Sequence, residues 1–369
     1  MSFQLFHKQT TIDFVGKRHI AYALSAVLLV VGFIAITLNG GLRYGVDFAG
    51  GAAVQLQFAE PVKDEAIKKS FATLNLPGLA IQQYGEDGKD YLVRFSSADM
   101  TSESIRNSIN IALETQFKDN KASIQRLEMV GPKVGADLRN AALEALYFAI
   151  LLITVYISGR FEQRWMIAGI MAAALGAAMY LMGFFGVNMV MRVIGALALT
   201  LALCWKLKLN YALGAIVGLL HDVLITLGML VLLGKEIDLN IIAALLTLVG
   251  YSLNDTIIIY DRIRENLRLQ SDKHLDPLAD IINLSVNQTL SRTIMTSATT
   301  LVAALSLVVL GGGTIHDFAL TMVMGVFVGT FSTVFVSTPI LLLFGDTKQY
   351  IAPARQQEAY ERPGEHGIV

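Results

Sequence analysis

The chain alternates between long apolar runs and shorter polar stretches. A membrane-spanning helix needs about 20 mostly apolar residues. Runs of this kind fall at eight places, residues 20–38, 141–158, 165–185, 189–205, 211–233, 239–260, 293–311 and 318–344. Asn188 and Arg192 interrupt the third and fourth runs, so a re-entrant hairpin is the alternative to two full spans there. The pattern predicts an α-helical polytopic membrane protein with about eight transmembrane helices.

The long stretch between the first two apolar runs, residues 39–137, is polar enough to fold in water. Its periodicity predicts strands at 53–58, 80–84, 91–95 and 123–129, helices at 62–74 and 102–117, and a hairpin turn at 85–88. Thr101 is expected to cap the second helix, with Ser104 behind it. The order βαββαβ is that of the ferredoxin-like split βαβ fold. We therefore expect a small α+β domain, and this fold alone assigns it no function.

Lysine and arginine collect on one side of the predicted membrane. With the N-terminus in the cytoplasm, fifteen of them lie in the short segments on that side and one or two in the loops opposite. The positive-inside rule then predicts that both termini are cytoplasmic and that the small domain is external. The first run lacks a small-x-small cleavage pattern, so we interpret it as a retained signal anchor.

Composition agrees with a membrane protein and excludes other classes. Hydrophobic residues make up 54% of the chain and charged residues 16%, against about 25% charged in typical soluble proteins. The net charge of -1, with no basic tract, predicts no nucleic-acid partner. A single cysteine, Cys204, excludes an intrachain disulfide. No metal cluster and no nucleophile constellation is visible in the small domain, and we expect no metal site.

A glycine-rich loop leads from the first span into the small domain. It contains Gly45, Asp47, Gly50 and Gly51. Such a loop can cradle a phosphate, but the spacing is neither GxGxxG nor that of a P-loop. We favour a tight turn with close backbone packing near the membrane surface.

Ionisable side chains inside a bilayer cost at least about 2.5–3.5 kcal/mol each, so they mark candidate functional sites. Asp255 in the sixth span and Arg292 at the start of the seventh are the main candidates, and a carboxylate balanced between burial and a nearby arginine can exchange a proton. The candidate proton path also includes Ser252, Asn254, Thr296 and Thr300. Two alternatives remain, a permanent ion pair between Asp255 and Arg292 and hydroxyl groups that only join helices.

His221 and Asp222 lie in the middle of the fifth span and are secondary candidates. Adjacent residues point about 100° apart on a helix, so we expect that these two cannot share one site symmetrically. A packing role, a partner-helix role and a proton relay all remain open for them.

Several motifs in order resemble those of the SecF family, which belongs to the SecD/SecF group of the RND superfamily. The glycine-rich loop resembles the GIDFTGG-like signature of that family, and residues 250–256 with 260–266 form the most specific block. Further similar segments are 12–18, 130–135, 160–162, 218–223 and 288–293. The resemblance runs through most of the chain.

The resemblance implies an RND-type bundle in the bacterial inner membrane that is not an enzyme and has no cofactor. It implies a SecD partner, work beside the SecYEG channel, contact with unfolded preprotein and lipid, and association with YajC and YidC. The family uses the proton-motive force for export, and the coupling ion is H+, with Na+ as the alternative. At the positions of Asp255 and Arg292, the family has the aspartate implicated in proton transport and a nearby arginine.

The chain departs from the family pattern in one respect. The family usually has six spans, whereas here an apolar stretch rich in Gly and Ala follows the 160–162 motif. Two extra helices are the simplest interpretation, because an even number preserves the orientation of everything downstream. We predict an inserted hairpin at residues 165–208, packed on the periphery or against a partner.

The resulting division of the chain has nine parts. They are a cytoplasmic N-terminus (1–19), the first span (20–38), a periplasmic ferredoxin-like domain (39–137), the second span with its cytoplasmic loop (138–164), the inserted hairpin (165–208), the fifth and sixth spans (209–260), a cytoplasmic amphipathic segment (261–292), the last two spans (293–344) and a cytoplasmic tail (345–369).

Three other functions compete with proton-driven export. An intramembrane aspartyl protease would need Asp222 and Asp255 as facing carboxylates that share a proton, and the chain has no GxGD-type element. A small-molecule RND exporter would carry two large external domains in one chain. A structural RND-type subunit would conduct no protons.

Overall fold

A computed structural model describes residues 10–74, 76–84, 87–96, 101–118, 120–270, 275–311, 313–344, 347 and 350. The predicted N-terminal segment and tail lie partly outside these residues, as does the predicted turn at 85–88. The helices are α1 Arg18–Leu38, α2 Val46–Ala49, α3 Asp64–Phe71, α4 Ser102–Gln116, α5 Pro132–Glu162, α6 Trp165–Phe184, α7 Met189–Lys206, α8 Asn210–Leu232, α9 Leu239–Arg268, α10 Leu278–Leu310 and α11 Gly313–Ser332. The strands are β1 Gly51–Phe58, β2 Ala80–Tyr84, β3 Asp90–Phe95 and β4 Ala122–Val130.

Within the described residues, eight helical segments are long and apolar enough to cross a membrane, which confirms the predicted number of spans. They are α1, α5, α6, α7, α8, α9, α10 and the segment Ile315–Phe344. The last one is irregular, because α11 passes into a π-helical turn, Thr333–Ser337, and then a 3₁₀ segment, Pro339–Phe344. π-turns of this kind are rare and occur frequently at functional sites.

The small domain has the predicted α+β architecture. Its antiparallel sheet has the strand order β2-β3-β1-β4, and a bulge interrupts the β1–β4 register between Gln55 and Leu56. Alternate residues of β1 and β3 are buried in a core with side chains from α3 and α4, as period-two strands packed on amphipathic helices require. The Thr101 side chain accepts a hydrogen bond from the backbone N–H of Ser104 and caps α4.

The predicted cytoplasmic amphipathic segment 261–292 includes the end of one long helix and the start of the next. Its first part continues α9 as far as Arg268, and its last part lies within α10, which begins after Pro277. The helix continues past the apolar run because one face stays buried, as Ile263 and Leu267 show. The helix therefore continues through this charged stretch as far as Arg268.

The bundle is centred on α8, which is buried along most of its length, while α6 exposes most of its surface. The α6–α7 hairpin packs against α5, and α7 also reaches α8. This arrangement places the predicted inserted hairpin at the periphery of the chain.

α1 and α8 run in the same direction and touch at matching positions. Ser25 contacts His221, and seven residues later on each helix Gly32 lies against Gly228, where an added β-carbon would come within 3.0 Å of backbone. The loops that follow α1 and α8 are also hydrogen-bonded to each other, because the Gly45 N–H donates to the Ile237 carbonyl at 2.9 Å. α1 and α8 therefore leave the bundle as one joined unit.

Candidate functional site

Asp222 in α8 is enclosed by polar partners from three helices. Its Oδ1 lies 3.0 Å from Nδ1 of His221, and its Oδ2 accepts a hydrogen bond from the Ser252 hydroxyl at 2.6 Å. The other ring nitrogen of His221 lies 2.8 Å from the hydroxyl of Ser25 in α1. All four side chains are buried, so these residues (the Asp222 cluster) form a closed hydrogen-bonded set across α1, α8 and α9.

His221 and Asp222 contact each other although they are adjacent in α8. The Cβ atoms of adjacent helical residues diverge, but the imidazole ring is long enough to turn back toward the carboxylate. Because a carboxylate can only accept, Nδ1 of His221 is assigned the proton, and Nε2 then accepts from Ser25. The two residues therefore act as one polar unit with Ser25 and Ser252.

Asp255 in α9 is also buried, but its carboxylate has few partners. Oδ1 accepts from the Thr296 hydroxyl of α10 at 3.3 Å, while Oδ2 is buried without a hydrogen-bond partner among the described residues. The same Thr296 hydroxyl also lies 2.9 Å from the Thr293 carbonyl, which competes for its single proton. Native proteins satisfy most buried polar atoms, so Asp255 is an exception.

Arg292 does not pair with Asp255 in this structure. It lies on the exposed side of α10, and its contact to the site is through its carbonyl, which lies 3.1 Å from the Thr296 hydroxyl. No salt bridge between Arg292 and Asp255 is present among those of the described chain. The permanent ion pair that the sequence left open is therefore not formed here.

The other predicted site residues divide between the two carboxylates and the surface. The Ser252 hydroxyl, which was included in the candidate path with Asp255, donates to Asp222. Asn254 is exposed, and the Thr300 hydroxyl donates to a carbonyl of its own helix. Around Asp255 the structure thus gathers Thr296 from the predicted path and leaves Asn254 on the outer face of α9.

Two hydroxyl contacts that the sequence did not predict join α9 and α10 to the last span. Thr256 lies 3.2 Å from Thr333, and Ser297 lies 2.7 Å from Thr330. Ser25 was not predicted either, because a single serine in an apolar run does not indicate which residue it contacts. The run of Ser and Thr between residues 330 and 338 was the available signal for the others.

The glycine-rich loop is packed tightly on its surroundings. Gly50 and Gly51 have φ values of 76° and 134°, which glycine adopts at little cost. A β-carbon on Gly50 would lie 2.8 Å from Pro132 Cα. The Asp47 carboxylate accepts the backbone N–H of Leu239 at 3.0 Å and so caps α9. The close-packed turn that we favoured from the sequence is the arrangement that this geometry supports.

The geometry limits what the buried carboxylates can do. An aspartyl protease needs two carboxylates that share a proton, but both oxygens of Asp222 are engaged by His221 and Ser252. In the described part of the chain, no three His, Cys, Asp or Glu side chains gather as metal ligands. Of these two aspartates, Asp255, whose Oδ2 has no partner among the described residues, is the one able to bind a proton or small cation.

Family models match both the membrane bundle and the glycine-rich loop. The model described as "Protein export membrane protein SecD/SecF, C-terminal" matches residues 110–201 and 186–347. A second model, the SecD/SecF GG motif, matches residues 36–62 and includes the whole glycine-rich loop. Together the matches include both candidate carboxylates.

Individual relatives agree with the family models. The chain is 34% identical to a protein translocase subunit SecF from Calditerrivibrio nitroreducens over 92% of this chain and 96% of that protein. It is 35% identical to the one from Desulfurispirillum indicum, over 96% and 97%. The crystal structure of SecDF from Thermus thermophilus, a translocon-associated membrane protein, is similar with a TM-score of 0.67 and 30% identity. That match covers 92% of this chain and 39% of the SecDF chain.

Proposed function

The chain belongs to the SecF family of protein translocase subunits, and from this premise we propose that it uses the proton-motive force to promote protein export across the bacterial inner membrane. The observation that carries the proposal is the free, buried oxygen of Asp255. A carboxylate without full hydrogen bonding can take up a proton there and release it. One charge moving through 100 mV supplies about 2.3 kcal/mol.

The proposed path reaches Asp255 from the surface of the bundle. Arg292 and Asn254 are exposed at the level of the carboxylate, and Thr296 lies between Arg292 and Asp255. Exposed polar groups are costly against lipid, which supports their being covered by another protein. SecD is the proposed partner, and Arg292 would approach Asp255 when the two halves move.

Proton movement must also reach the small domain. Asp222 ties α8 to α1 through His221 and Ser25, and α1 leads directly into the glycine-rich loop. Arg94 of β3 forms an ion pair with Glu236, in the loop after α8, at 2.6 Å. A shift of α8 within the bundle would therefore reach the small domain by two routes.

The proposed setting follows from the charge distribution and the family. We place both termini in the cytoplasm, because Lys and Arg collect on their side of the spans. The small domain lies on the other side, in the periplasm. Work beside SecYEG on unfolded preprotein, with YajC and YidC nearby, is part of the same proposal. The coupling ion is H+, and Na+ is the alternative.

The experiment compares export with and without an imposed gradient in membrane vesicles that contain the full complex. Asp255→Asn is expected to abolish the gradient-dependent part of export and leave the basal part intact, because Asn cannot carry the proton. Asp317→Asn is the matched control, since the Asp317 carboxylate is held by Lys235 at 2.6 Å. It should retain the gradient response.

Two outcomes would overturn the proposal. If Asp255→Asn keeps its full gradient-dependent export, the subunit is structural and conducts no protons. If a sodium gradient drives wild-type export in the presence of a protonophore, the coupling ion is Na+ and the proton assignment fails.

A further inference from the structure

The peripheral hairpin encloses a groove that the export mechanism does not use. The groove lies between α5, α6 and α7 and has a volume of about 540 Å³, within the range of about 300–1,000 Å³ typical of ligand sites. Because α6 ends and α7 begins there, it opens at the end of the bundle that carries the small domain. Its walls include Glu144, Phe148, Tyr180, Phe184 and Arg192.

Arg192 stands in the first turn of α7 with an incomplete set of partners. Its Nε is buried and has no acceptor among the described residues. Its Nη1 lies 2.6 Å from the place where a β-carbon on Gly183 would be, so the glycine gives the guanidinium room against α6. A guanidinium carries five donors in a fixed fork that suits phosphate oxygens. The groove therefore presents an anion-binding group.

Glu144 of α5 supplies a negative charge to the same groove. It is half-buried, and it forms no salt bridge with Arg192 or with another described residue. Opposite charges that line one groove without meeting leave space for a ligand that bears both signs. An anion alone would leave the carboxylate unpaired, and a cation alone would leave the guanidinium unpaired.

The apolar part of the groove identifies the environment of that ligand. Tyr180 and Phe184 at the end of α6 are largely exposed, and Met191 and Ile194 of α7 are exposed beside Arg192. Aromatic rings at the end of a span are typical of the level of lipid head groups. A ligand there meets polar groups at one end and open apolar helix surface along the rest.

We propose that this groove binds a zwitterionic phospholipid with a primary ammonium, such as phosphatidylethanolamine. Its phosphate would lie at Arg192 and its ammonium at Glu144, with the acyl chains along the exposed surfaces of α6 and α7. A phosphatidylglycerol head group would satisfy Arg192 and leave Glu144 unpaired. A phosphatidylcholine head group has no N–H donor for the carboxylate.

The test is native mass spectrometry of the full chain in detergent, titrated separately with phosphatidylethanolamine, phosphatidylglycerol and phosphatidylcholine. Wild type is expected to bind the first about tenfold more tightly than the other two, as one charge-assisted hydrogen bond allows. Glu144→Gln should remove this preference, whereas Arg192→Gln should weaken binding of all three. Arg164→Gln, at the opposite end of the hairpin, is the control and should change nothing.

A second pair of variants keeps the charges of Glu144 and Arg192 and changes only the volume of a side chain on α6. Gly183→Leu fills the place beside Arg192 and should weaken lipid binding, while a side chain at Gly169 meets open space and Gly169→Leu should bind as wild type does. Equal binding of the three lipids, or unchanged binding in Arg192→Gln and Gly183→Leu, would overturn the proposal. The proposal would also be overturned if an added protein helix displaced the bound lipid from wild type but did not displace it from Arg192→Gln.

Discussion

Asp222 and Asp255 are carboxylates on neighbouring helices of one bundle, and the structure holds them in opposite ways. Asp222 is bonded to His221 and Ser252, and through His221 to Ser25. Asp255 receives one long hydrogen bond from Thr296 and keeps a free oxygen. Both are almost completely buried, so burial alone does not separate them.

The difference lies in how many donors surround each carboxylate. A fully bonded buried group fixes helix positions, and its removal leaves its partners unpaired. A partly bonded group contributes little to packing and can change its protonation state at lower cost to the fold. We infer that Asp222 serves structure and Asp255 serves proton exchange.

The largest expected effect is on stability at Asp222. Asp222→Ala leaves His221 and Ser252 without their acceptor, at about 1–3 kcal/mol for each buried donor. Asp255→Ala should change the free energy of unfolding by less than about 1 kcal/mol, since few bonds are lost. Unfolding in mixed micelles measures both. Equal losses in the two variants would contradict the contrast.

A slightly smaller effect is expected where α1 and α8 touch. Gly228→Leu forces the helices apart and should cost about 1–3 kcal/mol by overpacking, with loss of the contact between Ser25 and His221. Gly250→Leu is the control, since a β-carbon there meets nothing within 4 Å. Unfolding free energies and a cysteine cross-link between α1 and α8 measure the change. A Gly228 variant as stable as the control would show that the Asp222 cluster does not depend on this approach.

Single hydroxyl deletions sharpen the contrast further. Ser252→Ala removes a hydrogen bond of 2.6 Å to a carboxylate and should cost about 1.5 kcal/mol or more. Thr296→Val removes the 3.3 Å bond to Asp255 and should cost about 0.5 kcal/mol. Both variants keep the side-chain volume close to the original. A larger loss for Thr296→Val would reverse the assignment of the two carboxylates.

The smallest effect concerns Asp238, a carboxylate just before α9. Burial raises its pKa above the ordinary value of 3.8, the nearby Asp47 carboxylate adds to this, and the Ile241 N–H opposes it. The folded state therefore binds the proton more readily than the unfolded chain. The unfolding free energy should fall as the pH rises from 3.8 through the pKa of the folded state.

The Asp238 side chain also accepts the Ile241 N–H and so caps α9. Asp238→Asn separates the pH effect from the loss of this cap, because asparagine also caps helices well. The fall in unfolding free energy with rising pH that Asp238 causes should be present in the wild-type curve and absent from the curve of the variant. Parallel curves over the same pH range would show that Asp238 does not contribute.

Much of the fold was predictable because its signals are local. Period-two alternation gave β2 as residues 80–84, and the apolar runs gave eight spans. The amphipathic pattern of residues 261–268 likewise indicated a charged helix beyond the sixth span, and α9 ends at Arg268. The π-helical turn at Thr333–Ser337 depends on packing and left no periodic signal.

The candidate site was predictable by residue type and less so by contact. Asp255, Asp222 and His221 are visible as ionisable groups within apolar runs. Which hydroxyl reaches which carboxylate depends on the rotation and depth of each helix, so the sequence did not reveal that Ser252 donates to Asp222. Ser25 could not be identified as a partner of His221, because the two are 196 positions apart.

The ion pair between Arg94 and Glu236 has a mechanical consequence. The small domain is joined to the bundle covalently through the loop after α1 and through the start of α5, which pack against each other at Gly50 and Pro132. The ion pair adds a second contact away from this junction. Opening the ion pair would therefore let the domain pivot about the junction while every helix stays in place.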